Sequence, residues 1–170
     1  MGIDIYAKWR GQTKEEEEKQ LTGFNTEAGN VGYLREAYHG GPYVTRYLVQ
    51  EAFKKGEAQI PADALRDRLP NAVLMAMYRE RTIYGKEETP ELIKNDDLLV
   101  AIKDIFEKQV KDTSHEDFLK TLTPHHVEYA EKLIADKALP GFAQSFVDFV
   151  ELCEKKEIET GEPLTIQASY

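Results

Sequence analysis

Ile3, Ile5, Ala7 and Trp9 alternate with Asp4, Tyr6 and Lys8, so the chain opens with the period-two pattern of a strand that has one apolar and one polar face. A second alternation covers residues 31–38, where Tyr33, Arg35 and Ala37 point one way and Leu34, Glu36 and Tyr38 the other. A third closes the chain, with Leu164, Ile166 and Ala168 set against Thr165, Gln167 and Ser169. Elsewhere the apolar residues recur at helical spacing. Val44, Tyr47, Leu48, Ala52 and Phe53 predict a helix over 43–55, ended by Lys54, Lys55 and Gly56. Residues 56–61 read as a break. A short helix over 62–69 closes at Pro70, and another over 72–84 turns Val73, Leu74, Met77 and Tyr78 inward. Asp96 or Asp97 caps a helix that reaches residue 110, with Leu98, Leu99, Ile102, Ile105 and Phe106 on its apolar face. Residues 112–122 form a link with helical turns around Phe118.

Thr123 and Pro124 start a helix by capping and by proline at its first position, with Val127, Ala130, Leu133, Ile134 and Ala138 as its stripe. Phe142, Phe146, Phe149, Val150 and Cys153 follow one face of the next helix, which stops at Thr160 and Gly161. Residues 11–30 are predicted to be a loop or mobile segment. Thr13 and Glu16 match a capping box, which allows one or two helical turns, but the glutamates of 15–18 leave almost no apolar face. Strands at both ends and one near residue 35, with helices between, imply an α+β fold. We expect a small sheet of about three strands covered by helices on one face, with the first and last strands as neighbours.

The 170 residues, 41% hydrophobic and 31% charged, suffice for a single globular domain over 1–170 with a sizeable core. A formal net charge of -9 argues against general nucleic-acid binding and against anionic membrane surfaces. Arg66, Arg68, Arg79 and Arg81 are interleaved with Asp67 and Glu80, which favours a mixed solvated face over a basic patch. No apolar run is long enough to span a bilayer. The opening residues lack the charged and apolar regions of a signal peptide, and Tyr6 breaks the myristoylation pattern, so the expected compartment is the cytoplasm. Cys153 is the sole cysteine. It excludes an internal disulfide, and its place in an apolar stripe implies a buried, inert thiol.

Candidate chemistry concentrates at the junction of the second strand and its helix. His39, Gly40, Gly41 and Pro42 break the strand, and the helix that follows has no acid in its first turn. Arg46 stands near the positive helix pole instead, an arrangement that an anion would offset. Arg35, Tyr38, His39, Gly40, Gly41, Tyr43 and Arg46 therefore make a candidate ligand site. On the other reading HGGP is a tight connection, the tyrosines rim the core, and Arg46 pairs with Glu36 or Glu51. The phosphate fingerprints GxGxxG and GxxxxGK[ST] are absent, and no cofactor is implied. His125 and His126 are adjacent and diverge by about 100° on a helix, so they cannot share a metal from one face, and no metal site is expected.

The opening MGIDIY and the later YLREAYHGGPY resemble small bacterial and phage-type proteins of no assigned activity that begin Met-Gly-x-Asp-x-Tyr. The resemblance covers these two short segments and brings no functional residue. Three functions remain open. The leading one is a non-enzymatic module that binds a small anionic ligand or a protein partner at residues 39–46. An alternative is a hydrolase or transferase centred on His39 as acid or base, with Glu36 or Asp4 orienting it and an arginine holding the substrate. The third is an acidic inhibitor of a basic partner.

Overall fold

The structure, a computed structural model, describes residues 2–22, 28–38, 40–83, 114–139 and 141–170, with all their side chains except those of 80–83. The first two alternations become strands β1 (Gly2–Lys8) and β2 (Tyr33–Ala37), and the closing alternation becomes the last strand. An additional strand, β3 (Glu57–Ile60), precedes that last strand, β4 (Leu164–Ser169). The four form an antiparallel sheet in the order β2-β1-β4-β3. The fold is α+β, as the pattern implies, and the first and last strands are neighbours in register from Asp4 opposite Ser169 to Lys8 opposite Thr165.

The fourth strand corrects the break expected at 56–61. Only Ile60 of its four residues is buried, so β3 carries no apolar alternation to read. It is a strand because β4 supplies its hydrogen-bond partners, from Glu57 opposite Gln167 to Ile60 opposite Leu164.

Seven α-helices occur among the described residues: α1 (Lys14–Thr22), α2 (Val44–Leu48), α3 (Gln50–Lys55), α4 (Ala62–Ile83), α5 (His115–Lys120), α6 (Pro124–Ala135) and α7 (Gly141–Thr160). Helix α1 occupies part of the predicted 11–30 loop. Its capping box is closed in both directions, with Glu16 N–H donating to Thr13 Oγ1 and Thr13 N–H to Glu16 Oε1, each at 3.1 Å. Three glutamates in its first turn suit the positive pole. The buried Gln20 amide donates to Ala7 O at 2.7 Å and anchors the helix to β1.

The single helix expected over 43–55 is two helices. Val49 leaves helical geometry at φ -118°, ψ 42°, and the guanidinium of Arg68 donates to the Leu48 carbonyl at 2.9 Å. Arg68 also grips both carboxylate oxygens of Glu51, which stabilises the interruption from outside the helix. Conversely, the two helices expected on either side of Pro70 are one. Burial of Leu65, Leu69, Ala72, Val73, Met75 and Ala76 along α4 outweighs the loss of one helical hydrogen bond at the proline, a cost of about 3 kcal/mol. Helix α6 ends at Ala135, short of Ala138. Its buried face is His126, Tyr129, Ala130 and Leu133, shifted from the predicted stripe because His126 turns back to cap the helix. The helix predicted to end at residue 110 lies outside the described residues.

The chain forms two compact units. The first comprises Met1–Tyr38, Thr45–Leu69 and Ser145–Tyr170, and the second His39–Val44 and Pro70–Gln144. In an antiparallel pair, directly opposite residues share a face. Ile3, Ile5, Ala7, Leu34, Ile60, Leu164 and Ile166 therefore lie on one side of the sheet and are buried in the first unit, as are Leu48, Leu65, Leu69, Phe146 and Phe149. Asp4, Tyr6, Lys8, Tyr33, Arg35, Gln59, Thr165 and Gln167 take the other side. In the second unit the rings of Tyr78 and Phe118 meet at 5.2 Å, and both residues are buried. Among the described residues no helix is long and apolar enough to cross a membrane.

A tight approach joins α7 to the short 3-10 turn Gly29–Val31. A Cβ at Gly29 would lie 2.0 Å from the Ser145 carbonyl oxygen, so the backbone of α7 excludes any side chain there. Gly29→Ala is expected to cost about 2–4 kcal/mol in urea unfolding, through overpacking against backbone. Gly11→Ala serves as the control. Gly11 has open space around its Cβ position and φ 82°, so only the left-handed strain of about 1–2 kcal/mol applies.

Candidate functional site

The residues singled out at the strand–helix junction separate in space. The period of two sends Arg35 and Glu36 to opposite faces of the sheet. Glu36 is 1% exposed, and its Oε1 accepts the backbone N–H of Thr45 at 3.1 Å and the Thr45 hydroxyl at 2.7 Å. The acid missing from the first turn of α2 is thus supplied by the preceding strand. A carboxylate from the chain itself takes the position that an external anion would have taken.

Arg46 does not pair with Glu51, which Arg68 holds. Its guanidinium instead lies over the rings of Phe53 and Tyr170, at 5.2 and 5.4 Å from their centroids. Arg35 lies beside Asp4. Tyr33 donates its hydroxyl hydrogen bond to Asp4 Oδ1 at 2.6 Å, Arg35 Nη1 reaches the same oxygen at 3.5 Å, and the Tyr6 ring packs on Tyr33 at 5.3 Å. Tyr38 is 38% exposed at the end of β2. His39 lies outside the described residues. Asp4 and Glu36, both named as partners for it, face opposite sides of the sheet and do not converge.

Gly40, Gly41 and Tyr43 belong to the second unit. There the fully buried Arg79 donates to the carbonyl oxygens of Gly40 and Pro42, the latter at 3.0 Å, and stacks on the Tyr43 ring at 4.9 Å. The Tyr43 hydroxyl accepts the Gly40 N–H at 3.3 Å. Arg79 therefore braces a turn, which corrects its reading as part of a solvated face. Arg66 pairs with Glu154 and Arg68 with Glu51, so neither contributes to a free basic patch.

His126 of α6 is equally structural. His126 Nδ1 accepts the Thr123 N–H at 2.8 Å and completes a capping box in which histidine replaces the usual glutamate. Among the described residues no group of three or more His, Cys, Asp or Glu side chains can hold a metal ion. Cys153 is 1% exposed, and burial pushes its thiol pKa up, so the reactive thiolate is suppressed.

A cleft of about 290 Å³ opens at the far end of β1, within the first unit. The end of β1 and the following turn supply Lys8, Trp9 and Arg10. Gln59 of β3 and Thr165 of β4 join Lys8 because the register sets Lys8 opposite Thr165 and Thr165 opposite Gln59, three side chains in one row on one face. The turn after α7 adds Thr160, Glu162 and Pro163. Gly161 makes that turn at φ 74°, donating its N–H to Glu157 O at 2.8 Å, as the helix stop in the sequence anticipates.

Arg10 fastens the two sides of the cleft, donating to Thr160 O at 2.5 Å with Glu162 at 3.8 Å. Lys156 Nζ lies 5.2 Å from the Trp9 ring centroid, 3.1 Å from Glu159 and 3.8 Å from Glu16 of α1. Lys8 is exposed and makes no ion pair among the described residues. Sequence reasoning missed this site. Its one legible signal was a lysine on the polar face of a strand that ends in the protein's only tryptophan. The other walls come from the unread strand β3 and from a turn about 150 residues away.

Neither a family model, a curated protein nor a solved structure matches the chain.

Two outcomes follow from the groups around β2. Glu36→Ala strands the Thr45 N–H and hydroxyl in a buried place, and chemical denaturation is expected to show a loss of about 2–4 kcal/mol. The second concerns alkaline pH. Burial, and then the hydrogen bond to Asp4, hold Tyr33 protonated above the ordinary tyrosine range. With its folded pKa raised, the native state keeps a proton that the unfolded chain releases. That contribution is complete below about pH 10 and is lost as pH rises through the folded pKa. Wild-type stability therefore falls with pH in this range, and the fall is expected to be shallower in Tyr33→Phe when urea midpoints are followed across it.

Proposed function

We propose that the chain is a binding module for a small anionic ligand, and that the ligand sits in the cleft formed by Lys8, Trp9, Gln59 and Thr165. The observation that carries this reading is the exposed Lys8 ammonium, unmatched by any carboxylate among the described residues, at an aromatic-walled cleft. In a protein with net charge -9, a cation left without a carboxylate beside a concavity favours capture of an anion over solvation of the surface. The Gln59 amide and the Thr165 hydroxyl stand in the same row as Lys8 and offer both donors and acceptors. The cleft of about 290 Å³ has room for a small molecule.

The β2–α2 junction supports the same function less well, since Glu36 already answers the N-terminal dipole of α2 and Arg46 is stacked on Phe53 and Tyr170.

The test is a thermal-shift screen of the full chain against small carboxylates, sulfate and phosphate at constant ionic strength, with Trp9 fluorescence as a local reporter. An anion present at a hundredfold excess over its dissociation constant should stabilise the fold by about 2.7 kcal/mol. The shift is expected to vanish in Lys8→Ala and to persist in Arg46→Ala. Loss in Arg46→Ala with retention in Lys8→Ala would return the site to residues 39–46, and no shift with any anion would sink the reading.

A further inference from the structure

We infer that the ligand of the Lys8–Trp9 cleft is a carboxylated monosaccharide of the uronate class, an inference that rests on the small-anion reading above. Three properties of the cleft converge on it. The first is charge. Lys8 and Arg10 stand against the single carboxylate of Glu162, so one negative charge on the ligand balances the site. A phosphate monoester carries about -1.5 to -2 at neutral pH and would place its surplus charge near Glu162. A carboxylate matches.

The second property is the division between apolar and polar walls. Trp9 and Pro163 offer apolar surface, while Gln59, Thr165 and Thr160 bring an amide and two hydroxyls to the same small space. The Thr160 hydroxyl is committed, donating to Lys156 O at 2.8 Å with Glu162 O at 3.1 Å, which leaves Gln59 and Thr165 as the side chains that read the ligand. A pyranose ring has the matching shape. Its C–H face is apolar and packs on aromatic or proline surface, and its rim of hydroxyls both donates and accepts. An aromatic acid of equal charge would use Trp9 and Lys8 but would leave Gln59 and Thr165 without a ligand partner.

The third property is size. A cleft of about 290 Å³ has room for one hexose ring with its carboxylate. Arg10 shapes this space, because its bond to Thr160 O ties the turn after α7 to the end of β1. In the assignment that follows, Lys8 holds the carboxylate, Trp9 and Pro163 take the ring face, and Gln59 and Thr165 take ring hydroxyls.

The experiment titrates the full chain with glucuronate, galacturonate, glucose, glucose 6-phosphate and benzoate, following Trp9 fluorescence and melting temperature. The expected result is that one or both uronates bind, with glucose, glucose 6-phosphate and benzoate each weaker by about tenfold or more, the step set by one lost charged or hydrogen-bonded contact. The double variant Gln59→Ala, Thr165→Val should weaken the uronate by about tenfold and leave benzoate unchanged. Valine suits a strand position, and Gln59 is exposed, so this variant retains the fold, which its unchanged circular dichroism would verify. Benzoate or glucose 6-phosphate binding as tightly as the better uronate would overturn the ligand class while leaving the small-anion site in place. Uronate binding that ignores the double variant overturns the assignment of Gln59 and Thr165 and with it the class. Silence from every anion tested overturns both this inference and the reading beneath it.

Discussion

Strand β1 pairs on both sides, with β2 from Gly2 opposite Ala37 to Tyr6 opposite Tyr33, and with β4 from Asp4 opposite Ser169 to Lys8 opposite Thr165. Everything else in the first unit depends on these two registers. A slip of one residue on either side would carry Ile3, Ile5 and Ala7 out of register with Leu34 and Ile166 and would bury Asp4 or Lys8. The polar side obeys the same constraint. It brings Asp4 to Arg35, Tyr6 to Tyr33, and Lys8 to Thr165 and Gln59. The core and the candidate cleft are two faces of one hydrogen-bonding pattern.

Glu36 shows how one side chain can change the meaning of a local motif. The helix start at residues 44–46 has every mark of an anion site when read along the chain, because its own first turn offers no carboxylate. The carboxylate arrives from the neighbouring strand, on the buried side, and is held by Thr45. The Arg46 guanidinium is stacked against Phe53 and Tyr170 near the C-terminal strand. A buried carboxylate that satisfies a helix N-terminus is a structural device, and it removes the local reason to place an external anion there. Lys8, on the opposite face of the same sheet, is exposed and makes no ion pair among the described residues.

Helix propensity was overridden in both directions. Pro70 fails to stop α4, because Leu65, Leu69, Ala72 and Val73 around it are buried and packing outweighs one missing hydrogen bond. Val49 does stop a helix that the apolar spacing would continue, because Arg68, from outside it, donates to the Leu48 carbonyl and to the Glu51 carboxylate. Helix α1 forms with almost no apolar face, held by its capping box and by Gln20 on β1. The capping box of α1 is local, but Gln20 on Ala7 and Arg68 on Leu48 join residues that are far apart along the chain.

By itself the sequence determined the α+β class, three of the four strands with their inward and outward faces, the caps at Thr13 and Thr123, and the stop at Gly161. These are local matters. Alternation, capping chemistry and the special backbone of glycine act over a few residues, and a linear reading registers them. Tertiary structure decided what required partners. It made β3 a strand by giving it β4, gave the start of α2 its anion in Glu36, and buried Arg79 against the carbonyls of Gly40 and Pro42. It also assembled the cleft from residues 8–10, 59 and 160–165. Chain registration is a property of pairs, and a site built from the ends of three strands and one turn has no signature until those pairs have formed.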